Sequence, residues 1–523
     1  MTGFSDIYGR LLQEFAEQVG ESRASYGQPS RSVREEIVRC IWFGGHFPPA
    51  ELTTDDGHRL EVVSPGWWNV EGGPDFVRAE FLLEGSGRVV GDVEVHTVTS
   101  AWYAHGHHQQ PEYDDVALHV VLWNDREGPV STHAGRAIPQ LTLSKVIAED
   151  LEELVEIVDG EGETAPEKWT AATKWPAPEG KYCGRAWRAG EIEPEWLGRL
   201  LDAAGDHRVL TRAAGFRELF QNHSREQVLY ERVAEALGYK NNRMPFMQLA
   251  GLLPIQTLRS VVPEAICAPD KARLLEAALL VTSGFMDEHE PQDDPGDGPT
   301  KAYRRDVTRA WAELSIPAPA ARLSPSYWHM GGTRPVNNPV RRIAGLACLC
   351  GRHLHEGLFA HFLRVVNTVQ PPPKGRPDTA LRNALLDEFL DLQHPYWSFH
   401  YTLGGATLTR PRALVGRERA TAILIDVLLP MLLAHAEEEG DRELAGKLHV
   451  VWRGLPRRPD NAVTRRMEQV IFESRDAAGK VVVSTRRQQG LHQLYRDCCR
   501  TELGCERCVA YLARRAGKTL AGV

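Results

Sequence analysis

The feature that most constrains the fold is a change of hydrophobic period along the chain. Between residues 60 and 123 the apolar residues form short runs of strand type, with a hairpin around Glu84-Gly-Ser-Gly87. From about residue 190 to 455 they recur at the three- and four-residue spacing of amphipathic helices. The pattern predicts an α+β protein, in which a small mixed β-sheet is followed by a large, mostly α-helical region.

The strand-rich segment is expected to form a small core of the order αβββαβ. Its first helix begins with a capping pattern, with Ser32 as N-cap and Glu35 at the third helical position. The run at 116–123 is apolar almost throughout, which is typical of a buried strand. The expected elements are a helix at 32–43, strands at 60–63, 77–83 and 89–96, a helical turn after Ser100 and a strand at 116–123.

Four units are expected along the chain. They are a sheet unit at 1–158, a linker at 159–189, a helical domain at 190–455 and a Cys-rich C-terminal element of mixed structure at 456–523. The clearest helical segments lie at 197–210, 226–237, 273–282, 306–314, 341–366, 380–392 and 417–438, and a further amphipathic helix is expected at 4–20.

Composition is that of a globular protein, with 42% hydrophobic and 25% charged residues. The longest apolar run, at 422–434, contains Asp426, so we expect no membrane span. The N-terminus lacks a basic segment followed by an apolar one, and the nine cysteines form no regular framework. Both features favour a cytoplasmic location.

Charge is unevenly distributed around a net value of −9. Residues 1–160 contain 27 acidic and 11 basic side chains, whereas residues from 453 onward contain 7 and 15. One interpretation is ordinary solvated surface. Another is an acidic metal site beside a basic surface that binds nucleic acid, and a third is that the arginines pair with acids of the N-terminal unit. The arginines concerned are Arg457, Arg458, Arg465, Arg466, Arg486, Arg487, Arg514 and Arg515.

Two carboxylates mark the first candidate site. Asp75 stands where a turn enters a strand, and Glu94 and His96 lie two apart on the next strand, so they share one face. A hairpin brings Asp75 beside them, where Asp75 and Glu94 would bind Mg²⁺ or Mn²⁺. His96 would bind the metal or act as an acid or base. The alternative is a Pro-Asp turn followed by an exposed strand glutamate.

Histidines crowd the same segment, where five fall within 24 residues: His96, His105, His107, His108 and His119. His96, His105 and His119 would converge if the helical turn folds back over the sheet. Three imidazoles with a carboxylate suit Zn²⁺ or Mn²⁺. The alternative is a set of histidines that order a loop through hydrogen bonds.

Four of the nine cysteines lie within eleven residues near the C-terminus: Cys498, Cys499, Cys505 and Cys508. The Cys505-x-x-Cys508 pair has the spacing of a metal knuckle, and Cys498 or Cys499 would supply the third thiolate. The fourth ligand would be the other of these two, His492 or Cys183. Such a set would hold Zn²⁺ or an iron–sulfur cluster. The alternative is free buried thiols.

Three polar stretches rich in Asn, Arg and Gln lie near predicted helix ends. Contacts with phosphate are feasible there. The alternative is helix capping and hydrogen bonding between helices. The stretches are 238–246, 334–343 and 488–491.

Pro74-Asp75 and Glu94-Val95-His96, set among a helix, three strands, a helix and a strand, resemble the PD-(D/E)XK nuclease superfamily. The resemblance implies that Asp75 and Glu94 bind a divalent metal. It also implies that His96, which replaces the final Lys of that motif, positions or activates water. An acid of the first core helix often assists in that superfamily. The candidates for this acid are Glu35 and Glu36, with Glu71 as a nearer alternative.

Further motifs extend along nearly the whole chain. They are Asn69-x-Glu-Gly-Gly-Pro-Asp-Phe76, Gly91-Asp-Val-Glu-Val-His96, Ser100-Ala-Trp-x-x-His-x-His107, Tyr113-Asp-Asp-Val-Ala-Leu-His-Val-Val121, Gly238-Tyr-Lys-x-Asn242, Arg334-Pro-x-Asn337, Gln488-Gln-Gly490 and the terminal cysteines. With these motifs the chain resembles the uncharacterised bacterial domain-of-unknown-function family 2851, although Ala101 stands where we expect Asp. The family name implies no activity, but it indicates that all the units belong to one design.

Together these features predict a metal-dependent enzyme that hydrolyses phosphodiester bonds in nucleic acid. Asp75 and Glu94 would bind the metal, and His96 would position or deprotonate water. The supporting or phosphate-facing groups would be His105, His107 and His119. One alternative is a non-catalytic nucleic-acid-binding or complex-assembly protein with a degenerate nuclease core, and another is a metal hydrolase that acts on a small molecule.

Overall fold

A mixed sheet near the N-terminus is followed by a large helical region, so the α+β class is confirmed. The structure is a computed structural model. It describes residues 6–19, 35–44, 52–69, 73–126, 128–146, 183, 186–187, 190–239, 242–287, 297–314, 316, 322–330, 335–370, 376–472, 474–499 and 508–515. The predicted N-cap Ser32 and most of the predicted linker at 159–189 lie outside these ranges.

The sheet unit follows the predicted order of elements. Helix α1 (Ile7–Val19) precedes this unit and packs on a different core. The unit consists of α2 (Glu35–Gly44), β1 (Leu60–Ser64), β2 (Trp67–Trp68), β3 (Phe76–Leu83), β4 (Gly87–Val98), α3 (Ala101–Ala104), β5 (Val116–Trp123), β6 (Val130–Ser131), β7 (Ala137–Ile138) and β8 (Gln140–Thr142). The four short strands β2, β6, β7 and β8 were not predicted, because two or three residues show no period.

The main sheet has the strand order β1-β3-β4-β5-β8, and β2 also pairs with β3. Strands β1, β3 and β4 are antiparallel neighbours, whereas β4 with β5 and β5 with β8 run parallel. The chain crosses from β4 to β5 through α3 and two short 3₁₀ turns. This crossover carries most of the histidines of interest.

The two faces of the sheet are covered differently. Helix α2 packs its apolar side, including Trp42, on one face. Because side chains alternate along a strand, Glu94 and His96 of β4 project from the other face. A smaller apolar cluster that includes Trp102 and Tyr113 lies on that second face. The polar side chains of β4 are therefore enclosed by the crossover.

Two irregularities determine the course of the sheet backbone near Glu94 and His96. β3 has a bulge at Arg78, which has φ 57°, and Asp92 Oδ1 accepts the Arg78 N–H at 3.0 Å. β4 approaches β5 closely at Gly91, where a Cβ would lie 2.5 Å from the Cβ of Ala117. Packing therefore explains the Gly-Asp pair of the motif Gly91-Asp-Val-Glu-Val-His96.

The helical region contains the predicted segments, mostly with longer bounds, around one apolar core. Its helices are α4 (Pro194–Phe220), α5 (Arg225–Leu237), α6 (Arg243–Leu252), α7 (Ile255–Val261), α8 (Ala268–Thr282), α9 (Gly298–Glu313), α10 (Pro339–His353), α11 (Leu358–Thr368), α12 (Pro377–Leu390), α13 (Arg417–Glu438) and α14 (Arg442–Gly454). The single helix predicted at 341–366 is wrong. The chain breaks at Gly357, whose φ of 97° is incompatible with a continuous helix.

Where the structure describes it, the C-terminal segment consists mainly of helices, with an isolated β-bridge between Pro456 and Ser484. Its helices are α15 (Ala462–Ile471), α16 (Arg475–Val481), α17 (Thr485–Leu494) and α18 (Val509–Arg515). Helix α17 packs closely on α4, since a Cβ at Gly490 would lie 2.0 Å from the carbonyl oxygen of Leu201. Apolar side chains of α1, α4 and these four helices share one core.

Helix α13 is long and apolar enough by composition to cross a membrane. Within its most apolar window, however, 72% is buried inside the protein. Core helices of soluble proteins pass the same test, so α13 alone is weak evidence for a membrane. Its Asp426 pairs with Arg212 of α4 at 2.6 Å, which ties α13 to the surrounding helices.

Candidate metal centre

Two acidic side chains cross-link the ends of β3 and β4. Glu94 Oε2 accepts the N–H of Asp75 at 3.0 Å, and Asp75 Oδ2 accepts the N–H of Val95 at 3.1 Å. Each carboxylate therefore holds the backbone that carries the other. Glu94 is only 3% exposed, which excludes the alternative of an exposed strand glutamate. The structure places Asp75 beside Glu94, where the hairpin predicts it.

Arg39 of α2 lies against this pair. Its guanidinium is 2.9 Å from Asp75 Oδ1, and it also pairs with Glu35 one turn earlier in the helix. Burial, and then the charge of Glu94, nevertheless raise the pKa of Asp75 to about 7. Both oxygens of Asp75 are thus engaged, by Arg39 and by the N–H of Val95. The expectation that Asp75 shares a metal with Glu94 stays a prediction.

A chain of hydrogen bonds fixes the ring protons of two buried histidines. Gln140 Nε2 donates to Asp55 Oδ2 at 2.7 Å, so Gln140 Oε1 faces His119 Nδ1 at 3.0 Å and can only accept. His119 Nδ1 therefore carries the proton, and His119 Nε2 accepts from His96 Nδ1 at 2.9 Å. His96 Nε2 is left with its lone pair. Burial lowers the pKa of both rings, that of His119 to about 4, so both are neutral near pH 7.

His105 and His107 complete the group around His96. His105 Nδ1 lies 3.2 Å from His96 Nε2, and Glu94 Oε1 lies 3.6 Å from the same nitrogen. His107 Nε2 lies 3.2 Å from Glu94 Oε1. One donor atom from each of the three histidines lies within 4.8 Å of the other two. His119, expected in this set, lies behind His96, and His107 takes its place. We call Glu94, His96, His105 and His107 the sheet cluster.

The separations within the sheet cluster match the spacing of ligands around a metal ion. Bonds of about 2.0–2.1 Å in a tetrahedral arrangement place donor atoms about 3.3–3.4 Å apart. Of the six separations among the four donor atoms, those between neighbouring donors are 3.2, 3.2 and 3.6 Å. These three are close to the spacing of ligands around one metal ion.

The contact between His107 and Glu94 requires a positive charge. Gln110 Oε1 lies 3.3 Å from His107 Nδ1, which places a ring proton there and turns Nε2 toward Glu94. A lone pair facing a carboxylate at 3.2 Å is repulsive unless a proton or a metal ion lies between them. Burial opposes protonation of His107, but the contact with Glu94 outweighs it and raises the pKa.

Aromatic side chains hold the imidazoles in place. Trp102 is fully buried and packs edge-on against three of the rings. His107 lies against Tyr113 with ring centroids 3.9 Å apart. Gly106, with φ 78°, turns the chain so that both its neighbours face the cluster. His105 is exposed, so the site is open to solvent on that side.

Three residues that shape the site were not predicted: Arg39, Asp55 and Gln140. The i,i+4 spacing of Glu35 and Arg39 in a predicted helix was an available indication of their pairing. Asp55 and Gln140 gave none, because their hydrogen bond joins residues 85 positions apart. Of the other acids considered, the side chain of Glu36 and all of Glu71 lie outside the described residues.

The cysteine cluster is described in part. The thiols of Cys498 and Cys508 are adjacent and buried, and the hydrogen bond that the Cys498 thiol makes to Cys508, together with burial, raises the pKa of Cys498. Cys183 packs against the same apolar core. Cys505, which supplies the Cys-x-x-Cys spacing, lies outside the described residues. His492 instead pairs with the side chain of an asparagine at 2.9 Å.

The three polar stretches make internal hydrogen bonds where the structure describes them. Arg341 and Arg342 are buried and donate to backbone carbonyls. The Asn242 side chain donates a hydrogen bond to the His329 carbonyl and accepts one from the His329 N–H. The Gln488 side chain makes the same two bonds with the backbone of Arg458. These contacts match the interpretation as helix capping and interhelical hydrogen bonding.

Several C-terminal arginines pair with acids of the protein itself. Arg486 is buried and its Nε lies 2.7 Å from Asp206 of α4, and Arg487 pairs with Asp202 one turn earlier at 3.1 Å. These pairs fasten α17 to α4. They follow the interpretation in which the arginines hold the protein together, although the acids lie in the helical region rather than in the N-terminal unit.

Fold and site together define an α+β protein whose mixed sheet carries an imidazole–carboxylate cluster and whose second half is helical. The chain belongs to the family described as Protein of unknown function (DUF2851), whose model matches residues 35–461. The match covers the sheet cluster and nearly all of the helical region, and it confirms the family resemblance. No curated protein and no solved structure matches the chain.

Proposed function

We propose that the protein is a divalent-metal-dependent hydrolase of phosphodiester bonds in nucleic acid. The observation that carries the proposal is the sheet cluster, in which three imidazoles bring donor atoms within 4.8 Å of one another and Glu94 Oε1 lies 3.6 and 3.2 Å from two of them. The exposure of His105 gives the cluster access to solvent and therefore to substrate.

The topology supports a nuclease rather than another metal hydrolase. A helix, an antiparallel three-strand meander and a crossover to a parallel strand resemble the PD-(D/E)XK core. Asp75 and Glu94 stand at the positions of the Asp and Glu of that motif.

The donor set favours Zn²⁺ or Mn²⁺ over Mg²⁺, because Mg²⁺ prefers oxygen ligands and imidazole suits the softer ions. The residues of the sheet cluster would hold the ion. When bound, the ion supplies charge that stabilises a phosphoryl oxygen and lowers the pKa of a bound water. Gln140 acts through His119 to keep the His96 lone pair directed at the site.

The test is cleavage of labelled single- and double-stranded DNA and RNA by protein stripped of metal and reloaded with Zn²⁺, Mn²⁺ or Mg²⁺. We expect cleavage by the wild type, with Mn²⁺ or Zn²⁺ the best ions, and none by His96→Gln. The matched control is His133→Gln, a half-exposed histidine of the same unit, which should keep full activity. A wild type that binds metal at the cluster yet cleaves none of these substrates would overturn the hydrolase.

A second candidate is a non-catalytic nucleic-acid-binding or assembly protein with a degenerate nuclease core. It is favoured by the pairing of Asp75 with Arg39 and by the presence of His96 where the nuclease motif has Lys. An inert wild type that still binds oligonucleotides, with an affinity that falls as salt rises, would support it. Turnover of a small phosphodiester without binding of oligonucleotides would instead indicate a small-molecule hydrolase.

For the C-terminal cysteines we propose a separate centre that holds Zn²⁺ or an iron–sulfur cluster. The adjacent thiols of Cys498 and Cys508, with Cys183 in the same core, support it. Elemental analysis should find zinc or iron that is lost in Cys508→Ser, whereas Cys267→Ser, at an exposed cysteine elsewhere, should keep it. Equal metal content in both variants would exclude the centre.

A further inference from the structure

We infer a second metal site in the helical region, where His353, Glu356 and His361 would bind a borderline-soft divalent cation such as Zn²⁺. Together with Glu388 these residues are called the helix cluster. The site does not depend on the proposed function, because it lies on different elements and uses none of the residues of the sheet cluster.

The helix cluster is assembled by three helices and the break between two of them. His353 ends α10, Glu356 lies in the break, His361 lies in the first turns of α11, and Glu388 lies near the end of α12. The rings of His353 and His361 stack with centroids 3.5 Å apart and planes inclined by 21°. One donor atom each from His353, Glu356 and His361 lies within 4.8 Å of the other two.

Glu388 lies against Nε2 of both rings. It accepts a hydrogen bond from His353 Nε2 at 3.2 Å and lies 3.0 Å from His361 Nε2. Because a carboxylate accepts and does not donate, the ring protons belong on Nε2 and the lone pairs on Nδ1. Both Nδ1 atoms lie 3.7 Å from Glu356 Oε2. Carboxylates commonly orient metal-binding histidines in this way.

Arg364 supplies an independent indication of the same lone pair. Its Nη2 lies 2.9 Å from His361 Nδ1, and a guanidinium only donates, so this nitrogen must be the acceptor. Its Nε also donates to Glu356 Oε1 at 2.7 Å. A cation of the protein thus already occupies two of the donors that a metal ion would use.

A metal ion would displace the Arg364 guanidinium from these donor atoms. Its side chain is 54% exposed, whereas that of His361 is 7% exposed, so the guanidinium can move into water while the imidazole cannot. Two nitrogens and one oxygen suit Zn²⁺, and the 40% exposure of Glu356 leaves room for a water ligand. A bound ion would join α10, α11 and α12 at one point.

The experiment is a Zn²⁺ titration of the full-length, metal-stripped protein against a competing chromophoric chelator. In His353→Gln/His361→Gln we expect the loss of one Zn²⁺ per chain relative to wild type, with the ion at the sheet cluster retained. The matched control is His223→Gln, at an exposed position of the same region, which should bind as the wild type does. An unchanged number of ions in the double variant would overturn the site.

Two milder variants keep the test decisive if the double variant does not fold. Glu388→Gln should weaken Zn²⁺ binding at the helix cluster roughly 10–100-fold, because it removes the carboxylate that orients the rings. Arg364→Gln should strengthen binding several-fold, because it removes the competing cation. Weaker binding in Arg364→Gln, or no change in both variants, would show that the cluster is only an internal ion-pair network.

Discussion

The sheet cluster and the buried Asp206 of α4 differ in how their charges are neutralised. In the helical region, the buried Asp206 meets the guanidinium of Arg486, so its charge is neutralised within the protein. In the sheet cluster, Glu94 and His107 face each other at 3.2 Å and need a proton or an external cation between them. Buried charges that pair within the protein stabilise its packing, whereas donor atoms that need an external ion are available to bind a metal for catalysis.

The helix cluster combines features of the sheet cluster and of the Asp206 pair. Its histidine lone pairs converge as in the sheet cluster, but Arg364 already occupies one of them. We therefore expect the sheet cluster to bind a divalent ion more tightly than the helix cluster does.

The largest effect is expected from Glu94→Gln. The change removes the carboxylate charge that the ion must meet, so metal binding at the sheet cluster and cleavage of nucleic acid should both be abolished, a loss of more than about 100-fold. Metal-dependent cleavage and equilibrium dialysis measure the two effects. Glu112→Gln, at an exposed acid of the same crossover, should leave both unchanged. A Glu94→Gln variant with wild-type activity would remove the sheet cluster from the reaction.

The next effect concerns stability in the helical region. Arg486→Ala should lower the free energy of unfolding by about 3–5 kcal/mol, because it leaves Asp206 buried and without its partner. Chemical denaturation monitored by circular dichroism measures it. Arg225→Ala breaks a half-exposed pair with Glu438 and should cost at most about 1 kcal/mol. Equal costs in the two variants would contradict the claim that burial makes the Asp206 pair essential.

A smaller effect is expected from Gln140→Leu, which removes the acceptor of the His119 ring proton. The His96 lone pair is then no longer directed at the cluster, so metal affinity should fall roughly 10–100-fold. Asp55 keeps its bonds to Thr142 and Lys145, so the fold should persist. Isothermal titration with Mn²⁺ measures the change.

The conservative variant Gln140→Glu separates positioning from simple packing. Its second oxygen faces Asp55 Oδ2, so the two carboxyl groups must share one proton. With that proton in place the other oxygen accepts the His119 ring proton, so the variant should recover part of the affinity lost in Gln140→Leu. Equal losses in the two variants would mean that Gln140 contributes shape and not the direction of a proton.

The smallest effect concerns Glu468 of α15 in the C-terminal segment. Burial and then the charge of Asp460 raise its pKa from 4.5 to about 7, although Arg457, which pairs with both acids, opposes the rise. Protonated Glu468 therefore stabilises the fold below about pH 4.5, and this contribution is lost as the pH rises through about 7. Between about pH 5 and 8, Glu468→Gln should gain on the order of 1 kcal/mol relative to wild type. Parallel pH profiles of the melting temperatures would contradict this.

Local patterns in the sequence predicted the parts of the fold that depend on local order. The strands that carry Asp75, Glu94 and His119 were predicted within two residues of their ends, because apolar period and turn residues are local features. The C-terminal helices were missed although Ser474 and Ser484 stand at N-caps and accept backbone N–H groups. A stricter search for capping residues would have found them.

The composition of the clusters depends on contacts that no local pattern records. His107 replaces His119 in the sheet cluster because two 3₁₀ turns fold it back onto Tyr113. In the helical region, the spacing His353-x-x-Glu356 is local, but the helix predicted at 341–366 runs through the break at Gly357. Glu388 was not predicted, since its contacts cross 27 or more residues and depend on how α10, α11 and α12 pack.

The central claim is that the sheet cluster takes its missing positive charge from a divalent ion. The most direct measurement is anomalous diffraction at the zinc edge from crystals grown with Zn²⁺. We expect an anomalous difference peak about 2.0–2.2 Å from Glu94 Oε1 and from Nε2 of both His96 and His107. A sheet cluster without such a peak, with His107 carrying the proton instead, would contradict it.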